Sequence, residues 1–292
     1  MYPNKFDYHR PASLSEATEL MARYGQDARP LAGGQSLIPL MKLRLANPAV
    51  IVDLNGIPGL SYVRQQEDRL VIGALTCHSD VEDSEIVRNR HQMIGDAVRN
   101  IGDAQVRNLG TVGGSLVHCD PSGDWGPVLL ALGGEVRCLG PAGERIIRGT
   151  DFFTDTYETA RDPTEIVTEV RLRSPQPGAG GAYLKLERRS GDFAVVGVAV
   201  CLVLDANDVC REAAIGLGGV APTYVKATSA ESVLRGMPLS DAAIAEAARC
   251  LDAEIDPYSD IRAPAEYKRA MAKVFFQKAV ELARRRATVG DS

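Results

Sequence analysis

Two short segments carry residue types that can do chemistry. Residues 31–39 read LAGGQSLIP and residues 110–118 read GTVGGSLVH. Each places two consecutive glycines beside hydroxyl or amide side chains. Glycine admits positive φ and lets a ligand approach the main chain without a Cβ in the way. Consecutive exposed N–H groups in such a turn form an anion-binding concavity, and a helix starting just afterwards favours phosphate. The first segment offers Gly33 and Gly34 with Gln35 and Ser36; the second offers Gly113 and Gly114 with the Thr111 and Ser115 hydroxyls, then Asp120 and Asp124 in CDPSGDW. Two opposed anion-binding turns on two lobes suit a molecule with a pyrophosphate in its middle, a dinucleotide. Neither segment has the G-x-G-x-x-G spacing or the G-K-[ST] ending of the commonest phosphate loops. Plain turns remain the competing local explanation.

The elements that must position these segments follow from periodicity. Ser13 and Glu16 form a capping box, and Leu14, Ala17, Met21 and Tyr24 share one helical face that Gly25 ends. ARPLA reads as a short strand running into Gly33, and LIPLMKLRLA as a helix with Ser36 as N-cap and Pro39 tolerated in its first turn. AVIVDL (49–54) is the continuous apolar run of a buried strand. A hairpin over LSYVRQQEDRLVIGAL, helices through 76–100 and DWGPVLLAL, and strands at EVRCLG, ERIIRG and EIVTEVRLRS build a mixed, largely antiparallel second lobe. SPQPGAGGA (174–182) reads as a linker. Three strands (AYLKLERR, AVVGVAVCLVLD, CREAAIGLGGV) and helices at 228–235, 240–251 and 264–287 follow. In the last helix, Tyr267, Met271, Val274, Phe275 and Leu282 form the expected core stripe, and Arg284–Arg286 suit the C-terminal dipole or a docking partner. Three lobes result: 1–57, 58–175 and 178–292.

Bulk properties narrow the function. The chain has 292 residues, 45% of them hydrophobic, with net charge −5 and no basic tract, which argues against a nucleic-acid partner. No apolar run reaches the length of a bilayer span, and no apolar signal region follows the N-terminal charges, so a cytoplasmic protein is expected. The six cysteines show no metal-ligand spacing and read as small buried hydrophobes; no metal is expected in this chain.

LAGGQSLIPLMKLRLANPAVIVDLNGIPGL together with IGDAQVRNLGTVGGSLVHCDPSGDWGPVLLAL resembles the FAD-binding medium subunit of molybdenum hydroxylases, the carbon monoxide dehydrogenase and xanthine dehydrogenase family. YLKLERRSGDFAVVGVAV, IGLGGVAPTYVKA and DIRAPAEYKRAMAKV extend the likeness over nearly the whole chain. The resemblance implies an α+β architecture with the FAD-binding fold of p-cresol methylhydroxylase and vanillyl-alcohol oxidase, two α/β lobes, and a C-terminal lobe of a three-stranded antiparallel sheet and helices. By the same resemblance, Ala32, Gly33, Gly34, Gln35, Ser36 and Leu37 wrap the pyrophosphate and ribityl region, and Thr111, Gly113, Gly114, Ser115 and Val117 approach from the second lobe. Asp124 matches an acidic residue bonded to the flavin's polar side, and Val167 an apolar contact to adenine or ring. Lys185 matches a lysine near the isoalloxazine carbonyls, and Asp192 and Phe193 a loop at the ring's edge. Gln35 replaces a frequent His, Ser115 a common Asn, and His118 stands where small residues are usual. No cysteine-rich insertion is present, which argues against the branch carrying an iron–sulfur cluster in this subunit.

The resemblance further implies partners: a large molybdenum–pterin subunit and a small subunit with two [2Fe–2S] clusters, assembled as a dimer of heterotrimers. Electrons would pass from the clusters through FAD to an external acceptor, with no catalytic base required in this chain. A stand-alone flavoprotein oxidoreductase of the same fold and a phosphate-binding module without redox chemistry are the rival readings. A peripheral membrane association is compatible with the sequence.

Overall fold

The apolar runs become strands of three separate main sheets in the computed structural model, which describes residues 2–289. In the first lobe, β1 (Asp7–His9), α1 (Leu14–Tyr24), β2 (Ala28–Leu31), α2 (Leu37–Lys42) and β3 (Val50–Asp53) form a parallel sheet in the order β1-β3-β2. β3 lies in the middle with all four residues buried, as a continuous apolar run requires. Helix α1 is capped as its sequence indicates: the Glu16 N–H donates to Ser13 Oγ (3.2 Å), and the Glu16 carboxylate reaches back to the Ala12 N–H (2.8 Å). Ala17 and Met21 then pack on Val50 and Val52.

The second lobe contains β4 (Val63–Gln66), β5 (Arg69–Gly73), α3 (His78–Asp83), α4 (Glu85–Arg90), α5 (Gln92–Arg99), α6 (Ala104–Arg107), α7 (Val112–His118), α8 (Trp125–Ala131), β6 (Glu135–Gly140), β7 (Gly143–Arg148), α9 (Gly149–Phe152), β8 (Phe153–Asp155), β9 (Glu158–Thr159) and β10 (Ile166–Arg173). Its antiparallel sheet runs β4-β5-β10-β6-β7, and β8 and β9 make a small separate hairpin. Leu70, Ile72, Val170 and Leu172 share a core with Ile94, Leu116, Trp125 and Leu129 of the helices. Glu169, alternating with this set, is held by Arg64, Arg137 and Arg171.

The third lobe consists of β11 (Ala179–Leu186), β12 (Val196–Leu204), β13 (Cys210–Gly218), β14 (Val225–Lys226), α10 (Thr228–Leu234), α11 (Asp241–Glu254) and α12 (Ala265–Val289). Its sheet has four antiparallel strands, not three: the two-residue β14 pairs with the end of β13. The stretch AGGA, read as linker, is the start of β11. The reason is tertiary. A Cβ on Gly180 would lie 2.0 Å from the Ala283 carbonyl oxygen, so this glycine admits the α12 backbone directly onto the sheet. The core stripe of α12 is correspondingly different from the expected one. Ala272, Phe276, Ala279, Val280, Ala283 and Ala287 are buried, Met271, Phe275 and Leu282 only partly, and Tyr267 and Val274 are exposed. Four alanines share the buried face with Phe276 and Val280, the pattern of a close helix–sheet approach rather than of a hydrophobic maximum.

Of the four arginines in α12, Arg286 crosses between lobes. Its guanidinium contacts both Asp96 oxygens on α5 and donates to the Gly181 carbonyl oxygen at 2.7 Å. All six cysteines are free; Cys119, Cys138 and Cys210 are buried and Cys77, Cys201 and Cys250 half-buried.

Arg286→Ala leaves the largely buried Asp96 carboxylate with only the Tyr183 N–H, at 3.3 Å, and Arg99, at 3.4 Å, and is expected to cost about 2 kcal/mol of stability, read by urea denaturation. His91 is 3% exposed and neither ring nitrogen has a partner. Burial, then Arg90, lowers its pKa to about 4; burial, then Arg107, does the same for His78. Both are therefore neutral in the fold, and the stability this confers is present above the ordinary imidazole value and lost as pH falls from about 6.5 through 4. His91→Leu is expected to raise stability by about 1 kcal/mol at pH 7 and to shrink the loss between pH 6.5 and 4. Unchanged pH dependence would contradict the assignment.

Candidate functional site

The first glycine motif leaves the carboxyl end of β2, where open sheets of parallel strands present their binding crevices. This end is pinned by side chains. Asp53 accepts from the Asn55 backbone N–H (3.0 Å), from Asn55 Nδ2 (2.7 Å) and from the Tyr8 hydroxyl, and Asn55 Nδ2 also donates to the Ala32 carbonyl (3.0 Å). Gly34 sits at φ 71°. At Gly33 the constraint is contact: a Cβ would lie 1.9 Å from the Leu109 carbonyl oxygen and 2.9 Å from Gly110 Cα. The two motifs are thus in direct contact across the lobe boundary. Among the described residues, no acceptor takes the backbone N–H groups of Gly33, Gly34, Gln35 or Ser36, all half-buried. Gln35 folds over the turn, its amide donating to the Gly33 carbonyl at 3.3 Å. Ser36 makes no capping bond, and α2 from Leu37 is only six residues long, not the ten of the sequence reading. Arg44, at φ 61°, takes the chain out of the helix.

The second motif is not an open turn, and here the reading of two equivalent anion cradles is corrected. Residues 112–118 form α7, with Thr111 as N-cap; its Oγ1 accepts the Gly114 N–H at 3.1 Å. The Val112 N–H goes to the Thr76 carbonyl, that of Gly113 to Ala74, and that of Ser115 to Thr111. Gly113 is required by packing, since a Cβ would come within 2.6 Å of the Ala74 Cβ. Gly114 leaves room toward Ala32, whose Cβ would be 3.7 Å away. The chemical face of this motif therefore consists of Gly114, the half-buried Ser115 and the half-buried Val117, and the free N–H donors belong to the first motif. Leu109, which the sequence reading passed over, is 56% exposed and supplies the backbone on which Gly33 rests. Its only sequence signal is its place just before Gly110. His118, the last residue of α7, lies with its ring 5.3 Å from that of Tyr157.

Asp124 and Lys185, 61 residues apart in sequence, meet in the interior. Lys185 Nζ lies 3.2 Å from the Asp124 carboxylate and 3.5 Å from Glu187, and donates to the Asn100 carbonyl at 2.7 Å. The Tyr183 hydroxyl donates to Asp124 at 2.6 Å. Burial raises the Asp124 carboxyl to about pKa 6, against the opposing pull of Lys185 and Tyr183. Asp120 bonds within its own loop, accepting the Ser122 N–H at 2.9 Å and the Tyr157 hydroxyl at 3.2 Å.

The remaining candidate residues sit on other elements. Val167 is buried in the second-lobe core, opposite Cys138 and just before a bulge. Asp192 is exposed, and Phe193 lies 5.3 Å under the Arg262 guanidinium of the third lobe. Among the described residues, no three His, Cys, Asp or Glu side chains cluster as a metal site.

With this geometry in hand, the comparisons are direct. Residues 4–175 match the family described as "FAD binding domain in molybdopterin dehydrogenase", and residues 181–283 the "CO dehydrogenase flavoprotein C-terminal domain". The chain is 41% identical to the carbon monoxide dehydrogenase medium chain of Afipia carboxidovorans, over 98% of this chain and 99% of that one. It is 36% identical to the glyceraldehyde dehydrogenase medium chain of Sulfolobus acidocaldarius, over 96% and 98%. It superposes on a structure of carbon monoxide dehydrogenase from Hydrogenophaga pseudoflava, one lacking the Mo-pyranopterin moiety of the molybdenum cofactor, with TM-score 0.95 and 38% identity over 98% of this chain and 99% of that one. A matched FAD-binding domain, a matched flavoprotein C-terminal domain and full-length identity to medium chains place this chain in the FAD-binding medium-subunit family of the molybdenum hydroxylases.

Proposed function

We propose that this subunit is the electron outlet of its complex: it takes electrons from [2Fe–2S] clusters in a small partner subunit and delivers them, through FAD, to an external acceptor. A large molybdenum–pterin subunit oxidises the substrate, and the assembly is a dimer of heterotrimers in the cytoplasm. Among the described residues no helix is long and apolar enough to cross a membrane. The medium-chain relatives carry different substrates in their names, carbon monoxide and glyceraldehyde, which fits a subunit whose site is not the one that selects substrate.

The observation that carries this reading is the contact of Gly33 with Leu109, with four consecutive N–H groups left without acceptors beside it. Those residues fit FAD: half-buried N–H donors at a lobe boundary match an anionic pyrophosphate, and a Cβ at either Gly33 or Gly34 would intrude. Ala32, Gly33, Gly34, Gln35, Ser36 and Leu37 would hold the pyrophosphate and ribityl region, with Thr111, Gly113, Gly114, Ser115 and Val117 closing the other side. Because the N–H groups of residues 112–115 are already bonded within the protein, the second set would contribute shape and hydroxyls and the first set donors. Asp124 and Lys185 would face the flavin's polar edge as a paired unit, Val167 would supply apolar contact, and Asp192 and Phe193 would border the ring. FAD when bound supplies the ability to accept electrons singly and release them in pairs. The chain's own task is to hold that group, exclude water from it and set its electrostatic surroundings.

The rival of a stand-alone oxidoreductase is tested by purification: co-elution with molybdenum and iron–sulfur subunits supports the proposal, and substrate turnover by the isolated chain overturns it. Gly33→Val is expected to force the loops apart and lower FAD affinity at least tenfold, about 1.4 kcal/mol. Gly95→Ala, whose Cβ meets nothing closer than 3.5 Å, serves as the control and should retain FAD. Full flavin content in purified Gly33→Val places the cofactor elsewhere.

A further inference from the structure

Tyr183 has no role in the reading above, yet the interior is built around its hydroxyl. The side chain is 1% exposed and points at Asp124. Its backbone N–H donates to Asp96 at 3.3 Å, the carboxylate that Arg286 grips, so the strand carrying the ring is fixed at its root. Gly197 on the neighbouring β12 makes room for the hydroxyl: a Cβ there would lie 2.7 Å from Tyr183 Oη. Burial, then Asp124, keeps the phenol pKa well above its ordinary value, so the hydroxyl is a permanent donor.

The groups around the pair are few. Lys185 comes from β11 and Glu187 from just beyond its end, Asp124 from the segment before α8, the Asn100 carbonyl from the end of α5, and Tyr224 from the third lobe. Two carboxylates therefore share one ammonium in a site that burial makes hostile to charge. The phenol donor tips that balance, because a hydrogen bond to the charged form of Asp124 favours its ionisation.

We propose that Tyr183 is a positioning residue for the flavin: by donating to Asp124 it keeps that carboxylate ionised against Lys185, and so sets how much of the lysine's charge acts on the cofactor. This rests on the placement of FAD beside Asp124 and Lys185 proposed above. Without the donor, Asp124 takes up a proton at higher pH, and the Lys185 charge is left less compensated. A less compensated cation favours the reduced, more negative cofactor.

The test is Tyr183→Phe in the full chain, read in two ways. The first is the carboxyl titration of Asp124 by carbon-13 NMR of chain labelled at aspartate and prepared without FAD, with the resonance assigned by Asp124→Asn. The second is the flavin midpoint potential of the FAD-loaded chain from pH 5 to 9. The expected result is an Asp124 titration moved to higher pH, and a potential shifted positively with a pH break that follows it. Gly197→Ala, which crowds the hydroxyl, is the second variant and should move both readouts in the same directions. An unmoved Asp124 titration overturns the positioning role whatever the flavin does. A moved titration with an unchanged potential overturns the proposal from the other side, since it removes the flavin from the neighbourhood of the pair.

Discussion

The contact of Gly33 with the Leu109 carbonyl is the constraint on which the rest depends. Two lobes built from different sheets, one parallel and one antiparallel, are brought into direct backbone contact at this point, beside the unbonded N–H groups of residues 33–36. A side chain at position 33 would prevent that, since its first atom would already overlap the opposing carbonyl. The parallel sheet delivers the first turn from the carboxyl end of β2, the Asp53–Asn55 bonds hold its approach, and α7 offers the opposing wall. Donors on one side and shape on the other form a division of labour rather than a symmetric clamp.

The third lobe meets the second by pairing charges. Lys185 would be costly to bury alone, and Asp124 equally so; their meeting, with Tyr183 and the Asn100 carbonyl filling the remaining valences, makes both tolerable. The lobes cannot drift apart without breaking this set, and Arg286 adds a second tie from α12 to Asp96 on α5. These two ties fix the boundaries at which the proposal places FAD.

Much of this was legible because it is local. Ser13 and Glu16 announce a helix start through hydrogen bonds spanning three or four residues, and VIVD announces a central strand through composition alone. Pairing of the two glycine segments pointed to a shared ligand before any likeness was considered. The misreadings are all tertiary. AGGA has the composition of a linker and becomes strand because the α12 backbone occupies the space that Gly180 leaves. GTVGG reads as a turn and becomes the start of a helix because Thr111 caps it and the Thr76 and Ala74 carbonyls accept its first N–H groups. Tyr267, Met271, Val274, Phe275 and Leu282 look like the buried face of α12, but its alanines with Phe276 and Val280 are. Tyr183 and Leu109 carry no local motif, and only the partner that each meets gives them meaning.

The central claim is that the Gly33–Ser36 N–H groups hold the cofactor's anionic centre at the lobe boundary. Amide hydrogen exchange of these four residues, compared in the chain with and without FAD, tests it most directly. The account predicts fast exchange without FAD and strong protection with it, larger than at Gly113 and Gly114, whose N–H groups are already bonded within the protein. FAD binding with no added protection at residues 33–36 would contradict it.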